Sequence, residues 1–425
     1  MKILVTGATG FIGAALIAGL LQNGHQVLAC VHRSSAKRLL PSNVEIMTVD
    51  FMRDTDERTW LPRLVGIDVV INTVGILRET RGASFAEVHH LAPQSLFRAC
   101  EIAGVKRVIQ ISALGADGQA VSHYHRSKKA ADDALRACKL DWIIVQPSVV
   151  FGSDGASTRL FLRLASMLLI PLVGDGEQRM QPLHIDDLTA LVIQLLERSC
   201  AIKQTIAAVG PTPVTMREML SAYRKALNLG HARVIKTPLM LVRAVARVGD
   251  VIRAGALSTE TLNMLLQGNT ASAQAITAIL GYAPRPLGDF LAPRHADTQR
   301  LYAQWAWLRP LLLMGIAAMW LAAGTVSWIF AREEGLALLA KLGLPPEITM
   351  LAFISACGLN ITLGLATLFK PGRWLWWLQL GVMAFYTGAL TLAAPGLWLD
   401  PFGPLIKNLP ITALLLSLAV TEARD

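Results

Sequence analysis

Lys2-Ile3-Leu4-Val5-Thr6-Gly7-Ala8-Thr9-Gly10-Phe11-Ile12-Gly13 opens the chain, and its reading decides the fold. A short apolar run enters three glycines spaced three apart, and residues 14–23 then read as a helix stopped by Gly24. Strand, glycine turn and helix in that order make an anion-binding device. A side chain in the turn would hold the backbone away from a pyrophosphate, whereas the helix N-terminus presents free N–H groups and the positive end of its dipole. Gly7, Thr9, Gly10, Phe11 and Ile12 are therefore candidate contacts of a dinucleotide, with a ligand-free glycine turn as the alternative.

Working outward, further apolar strands are expected at residues 27–31, 44–49, 69–73, 107–112 and 142–146. They alternate with helices near 86–103 and 124–138. Such alternation predicts an α/β fold, a doubly wound parallel sheet of Rossmann type with ligands at the carboxyl ends of its strands. Asp50 and Phe51 sit at one such end, where Asp50 can accept from an adenine amino group. Thr73, Val74 and Gly75 sit at another, small enough to let a cofactor approach; each is also compatible with an ordinary strand-end turn. Where an NAD enzyme usually places an acid after the second strand, this chain has His32-Arg33-Ser34. A guanidinium matches a 2′-phosphate, so Arg33 favours NADP(H), with NAD(H) as the other candidate. Lys37 or Arg38 can take the same role, and Arg33 can equally be a solvated loop residue.

The last third has another character. The 425 residues are 53% hydrophobic and 16% charged, with a mean hydropathy of +0.45, a balance that excludes a disordered chain and argues against a purely soluble one. Only seven of the 40 Lys/Arg and six of the 30 Asp/Glu fall in residues 304–425. Uncharged runs at 310–330, 348–369 and 374–399 are long enough to cross a bilayer, and 404–421 is a fourth candidate carrying Lys407 near one end. The expected domains are thus residues 1–300, with a small substrate lobe from about 150, and a four-helix transmembrane domain at 304–425. Arg300, Arg309, Lys370, Arg373 and Arg424 flank one side of these spans, against Arg332, Lys341 and Lys407 on the other, which favours both termini inside. Asn360, Thr362, Tyr386 and Lys407 place polar groups at or near membrane depth, where they mark packing contacts or a ligand cavity; a plain anchor is the simpler alternative.

Five isolated cysteines and no C-x-x-C pair point to neither a metal site nor a disulfide framework, as befits a reducing compartment. The start of the chain lacks the features of an export signal, so the first domain is expected in the cytoplasm. The net charge of +10 comes without a nucleic-acid-binding motif, and membrane lipid rather than nucleic acid is the expected partner.

The motifs Thr6–Gly13, Asn72-Thr73-Val74-Gly75, Ile111-Ser112-Ala113-Leu114-Gly115, Tyr124-His125-Arg126-Ser127-Lys128, the turn at 146–152 and Leu183-His184-Ile185-Asp186-Asp187 appear in the order of the short-chain dehydrogenase/reductase superfamily. Over roughly residues 1–290 the chain resembles its extended and atypical branches, including the NAD(P)H-binding subunit at the periphery of respiratory complex I. The resemblance implies Tyr124 as general acid/base, Lys128 as the group that lowers its pKa and holds the nicotinamide ribose, and Ser112 as an orienting hydroxyl. It also implies Pro147, Ser148 and Val149 beside the nicotinamide, and His184 with Asp186 and Asp187 as structural residues holding the substrate lobe. Ala113 follows Ser112 where many catalytic members carry another hydroxyl, which favours cofactor binding without turnover. Gln146 replaces the arginine common in extended members and weakens a sugar-nucleotide reading.

The segment from Asp400 to Pro410 and the four-span layout resemble the DoxX-like family of small bacterial membrane domains, a group that includes subunits tied to quinone redox chemistry. Three functions follow as expectations. The first is a membrane-bound NADP(H)-dependent oxidoreductase of the bacterial inner membrane, acting on a carbonyl or alcohol of an apolar, quinone- or isoprenoid-like molecule. The second is a catalytically silent NAD(P)H sensor or assembly factor for a membrane redox complex. The third is a sugar-nucleotide epimerase or dehydratase. Residues 234–290 are apolar and helical, and are read as core, membrane-facing or lining a greasy substrate site.

Overall fold

Seven parallel strands carry the first unit of the chain, residues Met1–Gln304. In the computed structural model, residues 1–32, 40–80, 82–197, 202–231, 233–252, 257–401 and 403–422 are described. The strands are β1 (Lys2–Thr6), β2 (Gln26–Val31), β3 (Glu45–Thr48), β4 (Val69–Asn72), β5 (Arg107–Ile111) and β6 (Asp141–Pro147), with Gln204–Ala208 as an edge strand beside β6. From that edge the order runs through β6, β5, β4, β1 and β2 to β3. The chain therefore winds outward from β1 in one direction, returns, and continues from β4 in the other, leaving a crevice where the carboxyl ends of β1 and β4 meet.

The strands are apolar runs because both faces are covered. Ile3 and Val5 point to one side, where they pack with Leu16, Ile17 and Leu20 of the helix Phe11–Gln22 and with Leu188, Leu191 and Leu195 of the helix Ile185–Glu197. Leu4 points to the other, with Val70, Val108 and Ile144, against Leu96 and Phe97 of the helix Ala92–Ala103 and Leu135 of the helix His123–Arg136. This alternation follows from the two-residue period of a strand. The expected strands and helices lie within a few residues of their predicted bounds. The edge strand Gln204–Ala208 was not foreseen, and a π-helical turn, Ala86–Leu91, precedes Ala92–Ala103. A third apolar cluster, with Phe151, Phe161, Met219, Tyr223, Val242 and Phe290, forms the smaller lobe of this unit.

The second unit, Trp305–Asp425, is helical. Helices Pro293–Ile329, which contains the boundary, Pro346–Phe369 and Arg373–Ala393 are long and apolar enough to cross a membrane. The fourth expected span is shorter than the run 404–421: the helix is Asn408–Thr421, 14 residues. That length reaches about 21 Å against a hydrocarbon core of about 30 Å. Pro410 falls in the first turn of this helix, where proline is best tolerated, and the residues before Asn408, Pro404 among them, form turns instead. An additional short helix, Arg332–Lys341, was not expected.

Polar groups inside this unit are paired. Gln379, fully buried, accepts from Trp320 Nε1 at 3.0 Å and donates to Thr367 Oγ1 at 2.8 Å. Glu422 accepts from Arg309 at 2.8 and 2.9 Å and from Trp376 Nε1 at 3.3 Å. A Cβ on Gly324 would lie 2.8 Å from Cys357 O, so the first two long helices touch backbone to backbone, as small residues permit in lipid.

In the first unit, a Cβ at Gly13 would stand 2.2 Å from Gly7 O, a backbone atom that cannot swing aside. Gly13→Ala is therefore expected to cost about 1–3 kcal/mol of stability, read as a lowered midpoint in thermal unfolding of the detergent-solubilised full chain.

Candidate functional site

The strand ends at the crevice are tied by a buried polar ladder. Thr6 Oγ1 donates to Asn72 Oδ1 at 2.5 Å, and Asn72 Nδ2 donates to Gln110 Oε1 at 2.7 Å, which joins β1, β4 and β5. Thr73 Oγ1 donates to Thr6 O at 2.6 Å. This draws Thr73 so close to Gly7 that a Cβ there would lie 2.7 Å from the hydroxyl, and Gly7 also takes φ +68°, a left-handed conformation that favours glycine. Gly10 begins the helix Phe11–Gln22 with no side-chain cap, leaving its first-turn N–H groups for a ligand. Thr9 and Gly10 are exposed, and Phe11 and Ile12 half-buried. Small, exposed and capped by no side chain, this turn fits a dinucleotide pyrophosphate.

Across the crevice stands the helix His123–Arg136. Ser122 caps it by accepting from His125 N–H at 3.0 Å, and the N–H of Tyr124 donates to Glu260 Oε1 at 2.7 Å. Tyr124 and Lys128, four residues apart, share a face. Lys128, 3% exposed, donates from Nζ to Val74 O at 2.9 Å and Ile111 O at 3.2 Å. It therefore clamps the turn after β4 to the end of β5 and keeps a third N–H for a ligand. Burial pulls its pKa down to about 8, opposed by the nearby Asp132 carboxylate. Burial and Asp132 push Tyr124 up to about 12, so its phenol is neutral. Its hydroxyl has no hydrogen-bond partner among the described residues.

The third expected catalytic group is placed differently. Ser112 Oγ donates to Asp132 Oδ2 at 2.7 Å, and Gln146 Nε2 donates to the same oxygen at 3.3 Å and to Ala116 O at 3.2 Å. Burial raises Asp132 to about 6. The Ser112 proton is thus held by a carboxylate of the same helix. Around 147–149, Ser148 N–H donates to Ala208 O at 3.0 Å, Ser148 Oγ to Gln181 O at 2.5 Å, and Pro147 O and Val149 O accept from Leu114 and Leu183 N–H. These residues are committed mainly to the neighbouring strand and lobe.

At the end of β3, Asp50 accepts from Met52 N–H at 3.0 Å, with His32 Nδ1 at 3.8 Å and Arg53 Nε at 3.7 Å from its carboxylate. Phe51 is buried, edge-on to Trp60 at 5.6 Å. Arg33, like Lys37 and Arg38, lies outside the described residues. His184 Nδ1 accepts from Asp186 N–H at 3.2 Å and its ring packs between Phe151 and Phe290, while Arg285 reaches Asp186 and Asp187 at 3.1 and 3.4 Å.

One residue escaped the sequence. His89 Nε2 accepts from Ile76 N–H at 2.9 Å, so in the neutral ring the proton is on Nδ1, which donates to Ser127 Oγ at 2.8 Å; Ser127 donates in turn to Tyr124 O at 2.7 Å. Its ring stacks on Phe85 and meets Tyr124 edge-on at 5.4 Å. Burial and the Lys128 charge lower its pKa to about 2. His89 thereby links the turn after β4 to the tyrosine helix. The only sequence signal was a polar His89-His90 pair inside an otherwise amphipathic stretch. A cavity of about 690 Å³ opens beside the same helix, with Leu77, Arg78, Phe85, Arg126, Ser127 and Glu260 in its walls.

Residues 3–210 match the NAD dependent epimerase/dehydratase family, and residues 317–416 match the DoxX-like family. The chain joins an extended short-chain dehydrogenase/reductase domain to a DoxX-like domain. NAD(P) is the cofactor typical of the first family. The chain is 28% identical over 255 residues to NADH dehydrogenase [ubiquinone] 1 alpha subcomplex subunit 9, mitochondrial, of Arabidopsis thaliana, covering 58% of this chain and 62% of that one. It is 28% identical over 193 residues to a ceramide reductase of Caulobacter vibrioides, covering 45% and 59%. The chain therefore spans about three fifths of the length of these relatives. UDP-glucuronic acid 4-epimerase from Bacillus cereus superposes with a TM-score of 0.53 at 21% identity, over 72% of this chain and all of that one, a likeness of fold.

Two outcomes follow. Lys128 is protonated below about 8, so NAD(P)H affinity, measured by isothermal titration, should fall between pH 7 and pH 9, and Lys128→Met should bind weakly with no such slope. Its effect on folding has the opposite sign. The unfolded chain binds the extra proton between about 8 and 10.5, so this group's contribution to stability rises with pH across that window. Secondly, His89→Phe keeps the stacking but strands the Ile76 N–H, and should weaken NAD(P)H binding by about 5- to 100-fold. His89→Gln, which retains an acceptor, should recover part of that loss.

Proposed function

We propose that the protein is a membrane-bound NADP(H)-dependent oxidoreductase that acts on a carbonyl or alcohol of an apolar, quinone- or isoprenoid-like molecule. The observation that carries this reading is the free, neutral Tyr124 hydroxyl on the same helix face as a buried, strand-clamped Lys128 ammonium. The nicotinamide cofactor, when bound, supplies or accepts the hydride. The first turn of the helix Phe11–Gln22 would hold its pyrophosphate, and the third N–H of Lys128 would be offered to its ribose. Tyr124 donates its phenolic proton to the carbonyl oxygen during reduction and withdraws it during oxidation. Arg33 is the residue assigned to the 2′-phosphate, on the sequence argument.

Three helices of membrane length and a relative named for ceramide reduction support an apolar substrate class. We place the chain in the bacterial inner membrane with its first unit in the cytoplasm, and read Asn408–Thr421 as a fourth crossing whose Lys407 reaches the headgroups.

A second reading, a silent NAD(P)H-binding module of a membrane redox complex, draws on a specific observation. Ser112 is committed to Asp132 and is followed by Ala113, and a relative is a subunit of NADH dehydrogenase. Stereospecifically 4-deuterated NADPH, given to the purified full chain with a membrane-lipid extract, separates the two. Label should enter one lipid, and Tyr124→Phe should lower the transfer by about 10²–10⁴-fold. Undiminished transfer in Tyr124→Phe would refute the proton role, and no transfer by a chain shown to bind NADPH would favour the silent module.

A further inference from the structure

The helix Leu239–Ile252 in the smaller lobe is apolar on the side facing away from the protein. At about 100° per residue, Val242 and Ala246 share one face and are buried in the lobe core. The opposite arc carries Met240, Leu241, Ala244, Arg247 and Val248, with Val245 and Arg243 on its two flanks. Met240 is 83% exposed, and Leu241, Val245 and Val248 are each more than half exposed. A helix that only covered a soluble core would show polar residues there.

The apolar surface extends beyond the helix. The strand Val234–Thr237, which leads into it through Pro238, pairs with Ile170–Val173, and Ile170 N–H donates to Arg233 O at 2.8 Å. The exposed Leu168 and Leu169 lead into one strand of this pair, and the exposed Val234 and Ile235 lie in the other. Charge on this stretch has one sign. Arg233, Lys236, Arg243 and Arg247 are exposed, and their side chains make no hydrogen bond or ion pair among the described residues. Asp250, the first acid in the stretch, is tied to Thr259, accepting from its N–H at 3.2 Å and its hydroxyl at 2.5 Å.

We propose that this face of the first unit, the outward side of Leu239–Ile252 with the neighbouring strand pair, docks in the plane of an anionic lipid bilayer. Its apolar side chains enter the boundary between headgroups and acyl chains, and Arg243 and Arg247 pair with lipid phosphates. An exposed apolar stripe bordered by unpaired arginines is the surface of an interfacial helix. The same polypeptide carries three helices of membrane length, so a bilayer is the partner it always meets. The inference is independent of the reaction at Tyr124.

The test uses the full chain in nanodiscs with and without anionic phosphatidylglycerol. An environment-sensitive fluorophore is attached at Met240→Cys or Val248→Cys, with Val65→Cys and Ile102→Cys, exposed positions outside this face, as controls. The chain's own five cysteines, Cys30, Cys100, Cys138, Cys200 and Cys357, leave a background measured on the unsubstituted chain. Lipids carrying a nitroxide near the headgroup should quench positions 240 and 248 but not 65 and 102, and more strongly with anionic lipid. R243E/R247E should shift the docking equilibrium toward the free state by about fivefold per arginine. Quenching of 240 and 248 by aqueous iodide as strong as at the controls would overturn the proposal. Protection from both quenchers would overturn it too, in favour of a second copy of the chain.

Discussion

The Lys128 ammonium, enclosed between the carbonyls of Val74 and Ile111, is the constraint on which the site depends. A buried cation is tolerated only when hydrogen-bonded, and these two oxygens belong to the turn after β4 and the end of the neighbouring β5. The bond thus measures the distance between the cofactor-side turn and the tyrosine helix. A Cβ at Gly75 would lie 3.1 Å from Nζ, so the turn must be bare of side chains for the clamp to close. Asp132, one turn further along the helix, supplies the opposite charge that opposes the loss of the Lys128 proton and also holds Ser112 and Gln146. The two residues bind adjacent points of the same strand end.

His89 completes this arrangement from the opposite side of the turn. Protonation would remove the acceptor on which Ile76 N–H relies, so burial and the Lys128 charge, by keeping the ring neutral, preserve the link. One ionised group and one neutral group therefore hold the same loop, and each favours the other's state. The same rule governs the helical unit, where Gln379 satisfies both Trp320 and Thr367, a fully paired trio where water is excluded. The helix Leu239–Ile252 inverts the pattern: there apolar groups are exposed, and Arg243 and Arg247 have no partner among the described residues.

Most of the α/β framework was legible because its signals are local. Glycine spacing, apolar runs and their alternation with helices each follow from a few consecutive residues. The edge strand Gln204–Ala208 was missed because its identity comes from pairing with β6, some sixty residues away. The fourth span was read too long because hydropathy registers a mainly apolar run and says little of the prolines within it. In the site, Tyr124 and Lys128 were named through a family resemblance and their four-residue spacing put them on one helix face, whereas the orientation of Ser112 depended on Asp132, a residue with no local motif.

By itself the sequence determined the strand–glycine–helix start, the division into an α/β part and an apolar helical part, and the shared helix face of Tyr124 and Lys128, because each is written in short-range spacing. Only the tertiary structure decided that Ser112 is committed to Asp132, that His89 joins the turn to the tyrosine helix, and that Glu260 from the smaller lobe meets Tyr124. It also decided which side of Leu239–Ile252 is covered. Apolar residues at helical spacing look the same whether their stripe faces a core or leaves it, and only packed neighbours tell the two apart.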